Sequence, residues 1–235
     1  MKSVSIVIPV YNEERRLPGC IPKLVGFLEQ QGDYLWDVVI ADNGSVDRTL
    51  EIAQSYANER YEIRVRHTPL KGRGRAVKAA WLESEAEILC YMDVDLSTDL
   101  EALPGLVDSI ANGECDLAVG SRLIPGSHTV RGWQRELISR AYALLVRLVC
   151  KVPIRDAQCG FKAISRRAAQ ELLPRVVDDG WFFDTELLVL ACREGFLVKE
   201  MPVCWTENRD SRVRVMATAW EDLKGLWRMR GRWGR

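Results

Sequence analysis

The chain has 235 residues, 47% of them hydrophobic and 28% charged, with 33 basic side chains against 33 acidic ones. This is the balance of an ordinary soluble globular protein: it excludes a disordered, collagen-like or disulfide-scaffold chain and, at a net charge of +0, a generic nucleic-acid binder. The charge is unevenly placed, however, because residues 209–235 hold eight of the basic and three of the acidic side chains, a surplus of +5 that leaves −5 on the rest.

Residues 4–10 form an apolar run stopped by Pro9 and Asn12, which reads as a buried strand. Residues 17–31 carry Ile21, Leu24, Val25 and Leu28 at helical spacing. A second short strand is expected over 37–41, a helix opening at 47–50 with Asp47 as its N-cap, a strand over 61–67, a helix over 74–84 and a buried strand over 88–92. Such alternation predicts an α/β fold with a mainly parallel central sheet flanked by helices. The body, residues 1–215, reads as one domain without repeats or linkers, and 216–235 as a basic, Trp-rich C-terminal tail.

The seven cysteines are odd in number and show no CxxC spacing, which points to a reducing compartment and away from zinc. The N-terminal apolar run is too short for a signal peptide. The most apolar helical stretch, 137–149, falls short of the roughly 20 residues of a membrane span and contains Arg140 and Arg147.

In open α/β sheets ligands bind outside the carboxyl ends of the strands. Three polar clusters fall there: Tyr11-Asn12-Glu13, Asp42-Asn43-Gly44-Ser45 and Asp93-Val94-Asp95. Two carboxylates at i, i+2 leaving a strand can share a hard divalent cation that also bridges substrate phosphates, or form an Asp-rich turn. Asp42 can hydrogen-bond a ribose or base, or make an Asx turn. The segment Lys71-Gly72-Arg73-Gly74-Arg75-Ala76 imitates a dinucleotide fingerprint, but Val77 stands at its third glycine position and it follows about the third strand, which argues against a Rossmann dehydrogenase.

Taken in order, Ile8-Pro9-Val10-Tyr11-Asn12-Glu13, Asp42-Asn43-Gly44-Ser45, Gly72-Arg73-Gly74-Arg75-Ala76, Asp93-Val94-Asp95 and Gly120-Ser121-Arg122 resemble the motifs of family 2 glycosyltransferases. Asp156-Ala157-Gln158-Cys159-Gly160-Phe161-Lys162, residues 181–186 and Trp205-Thr206-Glu207 extend the resemblance to the polyprenyl-phosphate sugar synthases, the dolichyl-phosphate mannose synthases and, more closely, the dolichyl-phosphate glucosyltransferases. The resemblance spans roughly residues 3 to 215 and implies an A-type glycosyltransferase fold. It implies that Pro9, Tyr11, Asn12, Glu13 and Asp42 meet the nucleoside, and that Asp93 and Asp95 hold Mg²⁺ or Mn²⁺ on the diphosphate. It also implies that Arg122, Arg135 and Ser139 grip the acceptor phosphate. In a helix, Arg135 and Ser139 lie i, i+4 on one face; the other reading of Arg135 and Arg140 is a solvated helix face.

Two positions depart from the family pattern. Asn43 replaces a second aspartate, and Asp210-Ser211-Arg212 stands where a Gly/Glu-Ser-Lys block is usual, making Arg212 the candidate diphosphate ligand there.

The implied reaction is inverting transfer of a hexose to a polyprenyl or dolichyl phosphate, from UDP-glucose as first expectation and GDP-mannose as second. A phosphate monoester, with a second pKa of roughly 6, is already ionised and attacks without a protein base. A hydroxyl acceptor needs one, and Asp156, Asp184 and Glu186 are then the candidates, while His67 and His128 are expected to be incidental. Contact with a membrane surface or a membrane subunit falls to residues 137–151 and to the tail, whose other reading is a terminal helix packed on the domain. The expected location is cytoplasmic and peripherally membrane-associated, with no nucleic-acid partner. The alternatives are a soluble family 2 transferase acting on a glycan or small hydroxyl acceptor, and an inactive nucleotide-sugar-binding subunit.

Overall fold

The structure is a computed structural model and describes residues 1–60, 62–207 and 215–233. Its first half runs β1 (Lys2–Val10), α1 (Leu17–Leu28), β2 (Tyr34–Asn43), α2 (Thr49–Glu59), β3 (Ile63–Thr68), α3 (Arg73–Glu83) and β4 (Ile88–Met92). Its second half runs α4 (Leu103–Ala111), β5 (Leu117–Ser121), β6 (His128–Val130), α5 (Trp133–Cys150), β7 (Phe161–Ser165), α6 (Arg166–Leu172), α7 (Phe183–Arg193), β8 (Val198–Pro202), β9 (Cys204–Thr206) and α8 (Val215–Trp233).

Seven strands form one sheet in the order β3-β2-β1-β4-β7-β5-β8. All neighbours pair in parallel except β7, which is antiparallel to both β4 and β5. Because β1 and β4 are adjacent while the chain between them builds the β2–β3 edge, the strand order reverses there and opens a crevice at the carboxyl ends. The expected α/β architecture with a mainly parallel sheet is found.

The strands are apolar on both faces because helices cover both. Val4, Ile6, Ile8 and Val10 pack with Leu17, Ile21 and Leu24 of α1 on one side. Val7, Leu89 and Tyr91 pack with Ala76, Val77 and Ala80 of α3 and with α7 on the other. Each valine, leucine or isoleucine among them contributes about 1.5–3 kcal/mol when fully buried.

The boundaries differ from expectation where local bonding changes. Helix α1 stops at Leu28 rather than at 31, because Gln30 and Gln31 donate to Phe27 and Leu28, three residues back, and so close tight turns. Asp47 precedes the cap residue Arg48, yet its Oδ1 accepts the Thr49 N–H at 3.0 Å and so still satisfies the first turn.

Of the expected tail, 216–235, residues 216–233 belong to α8. Leu226 and Met229 join the main core, and an added Cβ at Gly225 would come within 2.4 Å of the Phe182 ring. Arg228 reaches Glu186 at 3.0 Å and Asp178 at 3.2 Å. One face of α8 thus packs on the domain, while Trp220, Leu223 and Trp227 point to solvent. Helix α5 is similar: Ala143, Val146 and Cys150 are buried, and Trp133, Leu137, Ile138, Leu144 and Leu148 are exposed. Among the described residues no helix is long and apolar enough to cross a membrane.

Candidate active site

A cleft of about 980 Å³ lies at the carboxyl ends of β1, β2 and β4. At one end it is lined by Pro9, Tyr11, Asn12, Glu13, Asn43 and Lys71. Asn12 shapes this end: its backbone is left-handed, at φ 57°, a region Asn tolerates better than most residues. Its N–H donates to Ser45 Oγ at 2.9 Å and its Oδ1 accepts from Val46 N at 2.9 Å, tying the loop after β1 to the loop after β2. Gly44 between them has φ 82°, and a Cβ there would approach Pro69 O at 2.7 Å, so only glycine fits.

Asp42 does not line the cleft. It is fully buried behind Asn43, with Oδ2 2.7 Å from Nδ1 of His67, and its Oδ1 has no hydrogen-bond partner among the described residues. The residue on the wall is Asn43, whose Nδ2 donates to Val10 O at 2.8 Å and whose Oδ1 accepts from Gly72 N at 3.2 Å. His67 is therefore not incidental; it is the fixed neighbour of a buried carboxylate.

Midway along, Asp93 and Asp95 both face the cleft. They leave β4 in a turn closed by Leu96 N donating to Asp93 O, with Leu96 itself left-handed at φ 47°. Asp95 Oδ1 accepts from Ser97 N at 3.1 Å, and Asp93 Oδ1 accepts from Arg73 at 2.8 Å. Each carboxylate therefore keeps one oxygen without a protein hydrogen bond among the described residues. No third His, Cys, Asp or Glu joins them into a metal-binding group among the described residues, so a cation held here would take its remaining ligands from substrate phosphate and water. A hard divalent ion fits that donor set.

Arg73 is the residue that sequence reasoning passed over. Its guanidinium lies over the rings of Tyr91 and Trp181, at 5.1 and 5.0 Å, and bonds Asp93 and Asp184 at 2.8 Å each. Asp184 also meets Lys162 Nζ at 2.9 Å and accepts from the Tyr91 hydroxyl. Burial pushes the Asp93 carboxyl up, offset by Arg73 and reinforced by Asp95. Burial would also raise Asp184, but Lys162 and Arg73 overcome it and hold that carboxyl below its ordinary value. The signal in the sequence was Gly72-Arg73-Gly74: Gly74 packs α3 against Phe183, where a Cβ would come within 2.4 Å, and so seats Arg73 beside α7.

The far end is lined by Arg122, Ser139, Gln158, Trp205 and Glu221. Arg122 bonds Asp156 through Nε at 2.7 Å and Nη2 at 2.9 Å, and stacks over Trp205 at 5.5 Å. Its Nη1 has no protein partner among the described residues. Ser139 Oγ accepts from Arg131 Nη1 at 2.9 Å. Arg135 does not join them: its guanidinium turns to Glu207 and stays off the cleft wall. The i, i+4 spacing is present in α5, but a salt bridge to Glu207, the residue after β9, takes the arginine away. Arg212 lies outside the described residues.

None of the three carboxylates considered as a base is set up to be one. Asp156 is held below its ordinary value by Arg122 against the effect of burial, Asp184 is committed as above, and Glu186 is buried on Arg228 and Asp178 N.

The family model for glycosyl transferase family 2 matches residues 5–173. The chain belongs to the family 2 glycosyltransferases. Glycosyltransferase AglD of Haloferax volcanii is 42% identical over 226 residues, covering 95% of this chain and 35% of that protein. Dolichyl-phosphate beta-glucosyltransferase ALG5C of Trichomonas vaginalis is 32% identical over 223 residues, covering 90% and 66%. The Homo sapiens dolichyl-phosphate beta-glucosyltransferase is 32% identical over 226 residues, covering 90% and 70%. The chain thus spans from about a third to two thirds of the length of the first two relatives. A solved structure of glucosyl-3-phosphoglycerate synthase from Mycobacterium tuberculosis with uridine diphosphate superposes with a TM-score of 0.72 at 20% identity, covering 98% of this chain and 80% of that one. This family 2 glycosyltransferase therefore has the A-type fold that the resemblance implied.

Behind the cleft wall one buried acid stands apart. Burial pushes Asp222 of α8 up to about 7, with Gln158 lowering it and Asp178, Asp184 and Glu221 raising it. The native state then keeps a proton that the unfolded state releases near pH 4, so stability falls as pH rises from about 4 to 7. The Tm of the wild type is expected to drop between pH 5 and pH 8 relative to that of Asp222→Asn, which has no such proton; parallel Tm curves for the two proteins would contradict the assignment.

Proposed function

We propose that this chain transfers glucose, with inversion, from UDP-glucose to the phosphate of a polyprenyl or dolichyl lipid. The observation that carries the reading is the polarity of the cleft's far end. Arg122 lines it with an Nη1 that has no protein partner among the described residues, and Asp156, Asp184 and Glu186, the candidate bases, are all tied to cations. That arrangement suits an acceptor that arrives already ionised and needs a cationic grip rather than a base. The names of the relatives, dolichyl-phosphate beta-glucosyltransferases, support the same acceptor, sugar and product linkage.

In this reading the loops around Tyr11 and Asn43 hold the nucleoside, with Asp42 behind them. Asp93 and Asp95 hold Mg²⁺ or Mn²⁺, which when bound offsets the charge of the departing diphosphate. Crystals of the glucosyl-3-phosphoglycerate synthase contain Mn²⁺ with UDP-glucose, in keeping with that cation. Arg122 and Ser139 orient the acceptor phosphate behind the sugar. Arg131 holds Ser139 in place, and Arg135 acts at a distance by fixing Glu207.

A lipid acceptor requires a membrane surface. The exposed ridge Trp133, Leu137, Leu144 and Leu148 on α5, about 22 Å long at the helical rise, is edged by Arg140 and Arg147, and α8 adds Trp220 and Trp227. Leu137→Glu with Leu144→Glu should lower binding to anionic vesicles by about tenfold or more while sparing transfer to a short, soluble prenyl phosphate. Equal loss in both assays would make the ridge structural.

The direct test offers UDP-glucose, UDP-galactose, UDP-N-acetylglucosamine and GDP-mannose in turn with Mn²⁺ and a polyprenyl phosphate. Label is expected in the lipid phase from UDP-glucose alone, and Asp95→Asn should cut it by about a hundredfold or more. Transfer to a hydroxyl acceptor but not to the lipid phosphate would overturn the proposal.

A further inference from the structure

We propose that Gln158 reads a hydroxyl of the transferred hexose and that Asp222, from α8, fixes which end of its amide faces the cleft. The inference rests on the nucleotide-sugar reading of the cleft.

Residues 156–160 cross the cleft floor between its two charged ends. At one end Asp156 holds Arg122, and its Oδ1 accepts from Gln158 N at 3.2 Å. At the other, Gly160 O accepts from Asp93 N at 3.2 Å. Gln158 is therefore anchored two residues from each charged end. A sugar joined to a diphosphate at Asp93 and Asp95, and facing an acceptor phosphate at Arg122, has to lie beside it.

The side chain is equally constrained. Gln158 Nε2 donates to Asp222 Oδ2 at 2.6 Å. In this hydrogen bond Asp222 accepts, which turns the amide nitrogen to α8 and leaves the carbonyl Oε1 for the cleft; ionised Asp222, the form that prevails at pH 8, only accepts and so fixes that orientation. Asp222 is 2% exposed, and its Oδ1 has no hydrogen-bond partner among the described residues. A buried carboxylate left half unsatisfied is costly for a fold, and the hydrogen bond that this one makes to a cleft residue is the one to Gln158. A carbonyl oxygen needs a donor, and the ionised phosphates on either side supply none. The donors a nucleotide sugar brings to this part of the cleft are its hexose hydroxyls.

Comparing UDP with UDP-glucose isolates the hexose, since the two ligands share every other group. Affinities for both would be measured calorimetrically at pH 8, where Asp222 is ionised, with Mn²⁺ and no lipid. Gln158→Ala is expected to weaken UDP-glucose by about 3- to 10-fold, the worth of one hydrogen bond, and to leave UDP unchanged. Asp222→Ala should act in the same direction by releasing the amide. Asp222→Asn, whose side-chain carbonyl accepts the same bond, should restore the preference for UDP-glucose. The inference is overturned if the wild type binds the two ligands equally, or if Gln158→Ala weakens both alike or neither. A wild type that binds no UDP would instead overturn the functional reading beneath it.

Discussion

Gly160→Ala should lower kcat/KM for sugar transfer by about a hundredfold or more while leaving the protein folded. A Cβ at this position would come 1.9 Å from Asp93 Oδ2 and 2.6 Å from Arg73 Nη2, far inside van der Waals contact. Asp93 borders the cleft and is able to swing into it, so the clash is relieved by moving the carboxylate rather than by unfolding the sheet. Displacing a catalytic group by about 1 Å is enough for a loss of this size. The decisive comparison is between activity, Mn²⁺-dependent UDP binding and Tm in one variant. Activity and metal-dependent binding should fall together with Tm nearly constant; wild-type turnover would show that the position of Asp93 does not matter.

The second large effect concerns stability. Asp184→Ala leaves Lys162, itself 2% exposed, and Arg73 facing each other without the carboxylate between them. Removing one member of a buried ion pair costs about 3–5 kcal/mol. For a chain of this size that lowers Tm by roughly 6–20 °C. Urea unfolding of wild type and variant gives the difference directly, and a loss below about 1 kcal/mol would mean that the two cations find other partners. A loss of that size would mark Asp184 as a residue that assembles the site by holding Arg73 and Lys162.

Much of the fold was legible because strands covered on both faces must be apolar along their whole length. Residues 4–10 and 88–92 read as strands for that reason, and the polar clusters that follow them mark the crevice. The pair β6 and β9 was not legible: each is three residues long, with exposed residues at both ends, so neither carries a burial pattern. The site was legible where function needs a rare local pattern, as in Asp93-Val94-Asp95. It was not legible where distant residues decide the outcome. Arg135 follows the helical spacing of a phosphate grip, but Glu207, seventy-two residues away, claims its guanidinium. Asp222 lies in a segment dominated by tryptophan and arginine, and only the packing of Leu226 and Met229 shows that its face of the helix turns inward. Asp42 matched a motif, yet burial beside His67 takes its carboxylate off the wall and leaves Asn43 there.

The reversed direction of β7 sorts the molecule's loops into two populations. Because it runs against β4 and β5, its entry, the 156–160 segment, arrives at the same end of the sheet as the exits of β1, β2 and β4. Its exit at Ser165 opens on the opposite end, together with the connections before β2, β4 and β5. Those turns carry none of the cleft residues. Lengthening or recoding them alters a surface remote from the chemistry, whereas a single inserted residue before Phe161 shifts Gln158 and Gly160 against Asp93. The enzyme therefore has one end at which its specificity can be rewritten and another on which tags, fusions or tethers can be placed without disturbing it.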